Sequence, residues 1–235
     1  MRHRIHLPVL AAVVLSAGAG LGISASAGHA DARHGWARTI TNTYLPLTPG
    51  SVWVYRGMKD GVTQTDVVRA TRKTKIIMGV RTTVVSDVAT HAGRTLEATR
   101  DFYAQDARGN VWYFGEQTKA YGPGGVVDTS GSWLAGHDGA RPGMFMAAHP
   151  AVGDAHRQEY ARGQAEDQYW LVALHHSVSV PFVSSHDAAL TIEWSRLEPH
   201  VIDEKAYVPG IGPVREVAAE GPTEFATLVR YRRAR

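Results

Sequence analysis

Runs rich in valine, isoleucine, threonine and aromatic residues recur from Val52 to the end of the chain, and glycine, proline, aspartate and asparagine punctuate them. Such runs between such breakers are the pattern of β-strands joined by turns. Pro46, Pro49 and Gly50 set an extended entry and a turn, and Val52, Trp53, Val54 and Tyr55 start the first strand. Further strands are expected over residues 62–72, 75–78, 81–90 and 95–105, with breaks at Gly79 and at 91–93. Residues 101–116 read as a hairpin turning at 106–110, because Asp, Gly and Asn tolerate the left-handed backbone of a tight reversal.

Strands resume over 155–162, 168–180, 188–196, 201–207, 213–218 and 224–231. Before them lies 122–153, a glycine-rich stretch with the character of a long irregular excursion. Outside the first thirty residues, no segment carries three turns of helical periodicity. The expected fold is mainly β: an antiparallel meander that forms a half-barrel or closed barrel, with 122–153 as a long covering loop. Residues 42–235 are expected to make a single β domain, preceded by a flexible leader over 31–41.

Residues 1–30 have the pattern of a signal peptide. Arg2 and Arg4 give a basic start, residues 7–23 an apolar run, and Ala25-Ser-Ala27 or Gly28-His-Ala30 a small-x-small cleavage site. The apolar run contains glycine, serine and proline and sits at the bottom of the spanning range, so no stable membrane span is expected after cleavage. The expected product is secreted into the extracellular or cell-envelope space.

Composition narrows the chemistry. The chain has no cysteine, which removes disulfides, thiolate metal sites, cysteine nucleophiles and the cysteine-borne lipid anchor of bacterial lipoproteins. Two of its 25 basic residues, Arg2 and Arg4, leave with the signal, so 23 stand against 22 acidic ones. That balance argues against a nucleic-acid partner. No Gly-x-Ser-x-Gly, His-Glu-x-x-His or phosphate-binding glycine loop is present, so no cofactor is expected.

The motif Asn42-x-Tyr44-x-Pro46-Leu47-x-x-Gly50-x-x-Trp53-x-Tyr55 resembles a family of uncharacterised bacterial secreted proteins and lipoproteins. Trp112-Tyr-Phe-Gly-Glu116, Arg157-Gln-Glu-Tyr160, Glu193-Trp194 and Tyr207-x-Pro209-Gly-x-Gly212 belong to the same resemblance. It implies no settled activity. The last third is also similar to curved envelope half-barrels of the lipoprotein-carrier type, which implies a concave sheet able to hold an apolar ligand.

Three sets of residues could carry function. Carboxylates among aromatics, namely Glu116, Glu159, Glu166, Asp167, Glu193 and Glu204, could act as acids if buried, with Glu159 and Glu193 the candidate catalytic pair. They could equally face outward or pair with Arg157, Arg196 or Lys205. Histidines 175 and 176 are adjacent and so face opposite sides of a strand, which gives no metal site unless the strand bulges. Asp101, Asp106 and Asn110 serve turn geometry as readily as calcium. Trp112, Tyr113, Tyr160, Trp194 and Tyr207, with Glu116, form the candidate ligand-binding set, although strand aromatics also serve as core. The expected function is binding of a lipid or other small amphiphilic ligand in a β-barrel concavity. The alternative is a cofactor-free extracellular hydrolase or isomerase that uses the carboxylate pair.

Overall fold

The computed structural model describes residues 35–59 and 61–234; the export segment expected over 1–30 lies outside them. The first five strands form a continuous meander: β1 (Val52–Lys59), β2 (Val62–Ile77), β3 (Val80–His91), β4 (Arg94–Gln105) and β5 (Val111–Tyr121). Four short strands follow, β6 (Val127–Asp128), β7 (Trp133–Leu134), β8 (Arg141–Met146) and β9 (Ala155–Arg157), and then β10 (Glu159–Tyr160). A second meander closes the chain: β11 (Asp167–Ser179), β12 (Ser184–Ser195), β13 (Ile202–Val208), β14 (Gly212–Glu220) and β15 (Glu224–Arg232).

All pairings are antiparallel, and they run β10-β8-β5-β4-β3-β2-β1-β15-β14-β13-β12-β11-β9. The sheet therefore curls into a nearly closed barrel with one unsealed seam, between β9 and β10. Those two strands are neighbours in the chain, separated by Gln158 alone. The segment changes partners there: Arg157 pairs with Gln168 of β11, whereas Glu159 pairs with Pro142 of β8. Gly143 makes the crossing possible, because a Cβ at that position would stand 2.1 Å from the Gln158 carbonyl oxygen.

The 122–153 stretch departs from the expected covering loop. It supplies β8 to the barrel wall, and β6 and β7 pair along β5. Its glycines and prolines concealed the strand signal. Gly115, at φ 117°, lets the Trp133 backbone approach β5 where a side chain would collide with it.

One end of the barrel is an apolar, aromatic core. Tyr103 and Tyr113 stack at 4.7 Å, and Phe145 meets both edge-on. Leu171, Leu228, Val214 and Met146 are fully enclosed around them. The entry segment caps this end: Ile40, Leu45 and Leu47 are buried, Asn42 Nδ2 donates to the Gly109 and Ala147 carbonyls, and the Gly210 N–H donates to the Thr43 carbonyl. Gly109 and Gly210 stand on turns of opposite walls, so the segment spans the mouth.

Candidate functional site

Strand alternation that buries Val68, Ala70 and Val85 at the apolar end must turn the residues of the same parity inward at the other end. Those residues are acids. Asp66 lies on β2, Asp87 on β3, Glu97 and Asp101 on β4, Glu116 on β5 and Glu159 on β10, and all are buried. Register sets them side by side: Val68 opposes Asp87, Val85 opposes Asp101, and Asp101 opposes Glu116. They form an arc of carboxyl groups that runs from β2 around to the seam.

The facing arc is charge-compensated. Lys205 Nζ lies 2.9 Å from Glu193 Oε2 and 3.8 Å from Glu216 Oε2, and Lys59 Nζ lies 3.3 Å from Glu224 Oε2. Burial opposes the Lys205 charge, but Glu193 and Glu216 outweigh it and hold the ammonium above its ordinary range. Ten acidic residues are buried among the described residues, against two lysines. Of the ten, Glu166 is joined by Arg196 from outside. No lysine or arginine among the described residues forms an ion pair with Asp66, Asp87, Asp101, Glu116 or Glu159.

Desolvation dominates the uncompensated arc. It raises Asp101 to about 8, against which the Tyr113 hydroxyl donates to Oδ1 at 2.9 Å. Glu116 is pushed well up by burial and then by Glu159, and Glu159 by burial and then by Asp167. Asp87 is raised by burial and by Asp66. Asp66 has no side-chain donor other than Asp87, another acid, able to donate only while protonated. Gln64, on the same inward row, has neither amide atom bonded.

A pocket of about 240 Å³ opens beside the seam, between β5, β7 and the turn that follows β10, and meets this arc at Glu116. Glu116 forms its base, Trp133, Leu134, Ala140 and Ala161 give apolar walls, and His137 and Arg162 stand at the rim. Gln164 Nε2 braces it, donating to the Ser130 and Ser132 carbonyls at 3.0 and 2.7 Å. Glu116 Oε1 and the Trp133 indole N–H are buried there without partners. Such orphaned groups call for water or a ligand. A wider cleft of about 770 Å³ lies elsewhere, beside Phe225, Pro181 and Gly93, and its one charged lining residue is Arg56. Gln64, with both amide atoms unbonded, lines this cleft, whereas the unpartnered carboxyl oxygen of Glu116 and the Trp133 N–H line the seam pocket.

The residues singled out from the sequence divide by face. Tyr113, Glu116, Glu159, Glu193 and Tyr207 point inward and are buried, and the Tyr207 hydroxyl donates to Glu193 Oε1 at 3.0 Å. Trp112, Tyr160 and Trp194 lie half-buried on the outside. Trp112 is turned to Asp106 through a 3.0 Å bond, and Tyr160 is held between the guanidinium groups of Arg141 and Arg157. Glu193 is occupied by Lys205, Tyr207 and Thr191, so Glu159 and Glu193 do not stand as two free carboxylates. Glu166 and Glu204 bond to Arg196 and Arg215. Asp106 caps its own turn, accepting from the Arg108 and Asn110 amides. The His175 backbone is left-handed, yet its ring lies 3.1 Å from exposed Asp187, and no group of three His, Asp or Glu among the described residues is arranged to hold a metal ion.

Asp66, Asp87 and Gln64 were not singled out from the sequence, although their parity with Val68 and Ala70 on β2, and with Val85 and Ala89 on β3, placed them inward. No protein-family model and no curated protein matches the chain. Among solved structures it is similar in fold to a provisionally named lipoprotein from Parabacteroides distasonis, with 12% identity and a TM-score of 0.46, over 81% of this chain and 99% of that one.

Proposed function

We propose that this chain is an exported binding protein that takes a small amphiphilic ligand at the barrel seam and performs no chemistry on it. The observation that carries this reading is the pocket in which mixed apolar and polar walls hold two buried, unpartnered polar groups, Glu116 Oε1 and the Trp133 N–H. Four apolar side chains, Trp133, Leu134, Ala140 and Ala161, share the lining with charged and polar ones, which suits a ligand with both an apolar and a polar part. The aromatic end of the barrel is filled by its own side chains, which directs the ligand to the seam. The export pattern of residues 1–30 and the resemblance of the Asn42–Tyr55 motif to secreted envelope proteins support the compartment.

Titration with eight-carbon amphiphiles of different headgroup, octylamine, octanol and octanoate, followed by tryptophan fluorescence, tests it. At least one should give a saturable change that Trp133→Phe diminishes. A protein whose fluorescence and melting temperature respond to none of the three overturns the reading.

A further inference from the structure

The seam pocket explains where a ligand would enter but not why the barrel behind it is lined with acid. Asp66, Asp87, Asp101, Glu116 and Glu159 are each buried, and the lysines of the barrel are committed to the opposite arc. Natural interiors keep buried charges paired, because an isolated ion loses several kcal/mol of hydration. Two lysines placed on one side and none on the other make the cavity lopsided: the open arc has the electrostatic character of a site whose counter-ion comes from outside.

The acids are not the sole sign of a missing guest. Gln64, buried on β2 beside Asp66, has an unbonded donor and an unbonded acceptor, and Trp133, buried at the pocket wall, has an unbonded donor. Neither is an acid, so repulsion within the cluster does not account for them. Trp133 lines the seam pocket itself, whereas Gln64 lines the wider cleft.

Resting on the binding reading above, we infer that the headgroup recognised at the seam is a protonated amine, seated against Glu116 and the carboxyl arc behind it. Three features favour this class. An alkylammonium supplies the positive charge that the arc lacks and donates up to three hydrogen bonds to oxygens without donors. The Trp133 ring and the apolar walls suit the alkyl part. Compact metal ions suit the site less, since no three described carboxylates or histidines converge at metal-binding geometry.

Binding of such a cation is linked to protons. Glu116 is faced by Glu159 from β10, by Asp101 and Glu97 from β4 and by Asp167 from β11, and the pocket adds His137, Asp138 and Arg162. With the inward acids crowded and desolvated, a share of them is protonated near neutral pH. An arriving ammonium stabilises the ionised forms, so protons leave as it enters.

Isothermal titration of the full mature chain with octylamine, octanol and octanoate, in two buffers of different ionisation enthalpy, tests the inference. Octylamine should bind at least tenfold more tightly than the other two, its measured heat should depend on the buffer in the sense of proton release, and its affinity should increase from pH 5 to 8. Glu116→Gln should weaken octylamine by about 10- to 100-fold, the loss expected for a charge-assisted contact, and leave octanol unchanged. Glu204→Gln, which removes an outer-face acid bonded to Arg215, should change neither. Equal binding of all three compounds, or tighter binding of octanoate, overturns the amine inference and leaves the seam reading intact. Binding of none removes both. Octylamine binding with no proton release and no dependence on Glu116 also overturns it, and the wild-type pH series decides the matter even if the variant folds poorly.

Discussion

Lys205 and Glu193 face one another across β12 and β13 with Nζ 2.9 Å from Oε2, and the same ammonium reaches Glu216 at 3.8 Å. One buried lysine thus holds two buried carboxylates. Lys205→Met should cost about 3–5 kcal/mol, because it leaves uncompensated charge behind. Adding Glu193→Gln to that variant should restore a large part of the loss, since the remaining partners, Thr191 and Tyr207, bond a neutral amide as well. Urea unfolding of the wild type, both single variants and the double variant measures the coupling.

Stability should fall as pH rises through neutrality. A carboxyl whose folded pKa is raised binds a proton more tightly in the folded state, so its contribution is fully present below the unfolded pKa and is lost as pH rises through the folded value. Asp101, raised to about 8 by burial, acts in this sense, as do Glu116, Glu159 and Glu216. His156, stacked on Tyr169 and lowered by burial to about 4, acts in the opposite sense, but only as pH falls from its ordinary range toward 4. The window from about 6.5 to 8 therefore isolates the acids. Asp101→Asn keeps an oxygen for the Tyr113 hydroxyl and should raise the melting temperature at pH 8, by ~2–4 °C for each kcal/mol recovered. At pH 5 the gain should be much smaller, because most of the loss accrues between there and pH 8. Calorimetric melts at the two pH values check the sign.

The seam is held by contact too close for a side chain. Gly143→Ala would drive a Cβ to 2.1 Å from the Gln158 carbonyl oxygen, and forced repacking of this kind costs about 1–3 kcal/mol. The Gln158 amide, which donates to the Asp167 carbonyl at 2.9 Å, should then exchange its hydrogen faster, as should 159–160. Amides of β2, β3 and β4 should keep their protection. Uniform loss of protection would mean that the seam is not a separable element.

Asn42 closes the other end. Its Nδ2 donates to two carbonyls and its Oδ1 accepts from the Tyr44 and Leu45 amides at 2.9 and 3.1 Å. Asn42→Ala leaves these buried groups unsatisfied and should cost about 1–3 kcal/mol for the first and less for each further one. Hydrogen exchange should rise over 40–47 and at 106–110 together, because the residue ties the two segments.

Much of the wall was legible in the sequence, because β-branched runs and Gly or Asp breaks act locally. The turn at Asp106–Asn110 and the two meanders follow from that chemistry alone. β8 was hidden, since Arg141-Pro-Gly143 reads as loop and becomes strand only because β5 offers it an edge. Faces were harder. Tyr113 and Trp112 differ by one residue and look alike as aromatics, yet one stacks in the core and the other caps a turn. The paired state of Glu193 depends on Lys205 arriving from β13, a register fact that no local pattern contains. The acids of β2 and β3 were readable by parity with Val68 and Val85, but an Asp beside valine in a strand is ordinarily taken for the solvent face.

Among the described residues, ten acidic side chains are buried but only two basic ones, which sorts charge by depth. A formal charge close to neutral then says little about what neighbouring molecules meet. Part of the negative charge is enclosed, where burial raises the proton affinity of Asp101, Glu116 and Glu159, while the described arginines remain outside. In a crowded anionic envelope, or on an ion-exchange resin, the molecule should behave as a far more basic particle than its sequence total suggests.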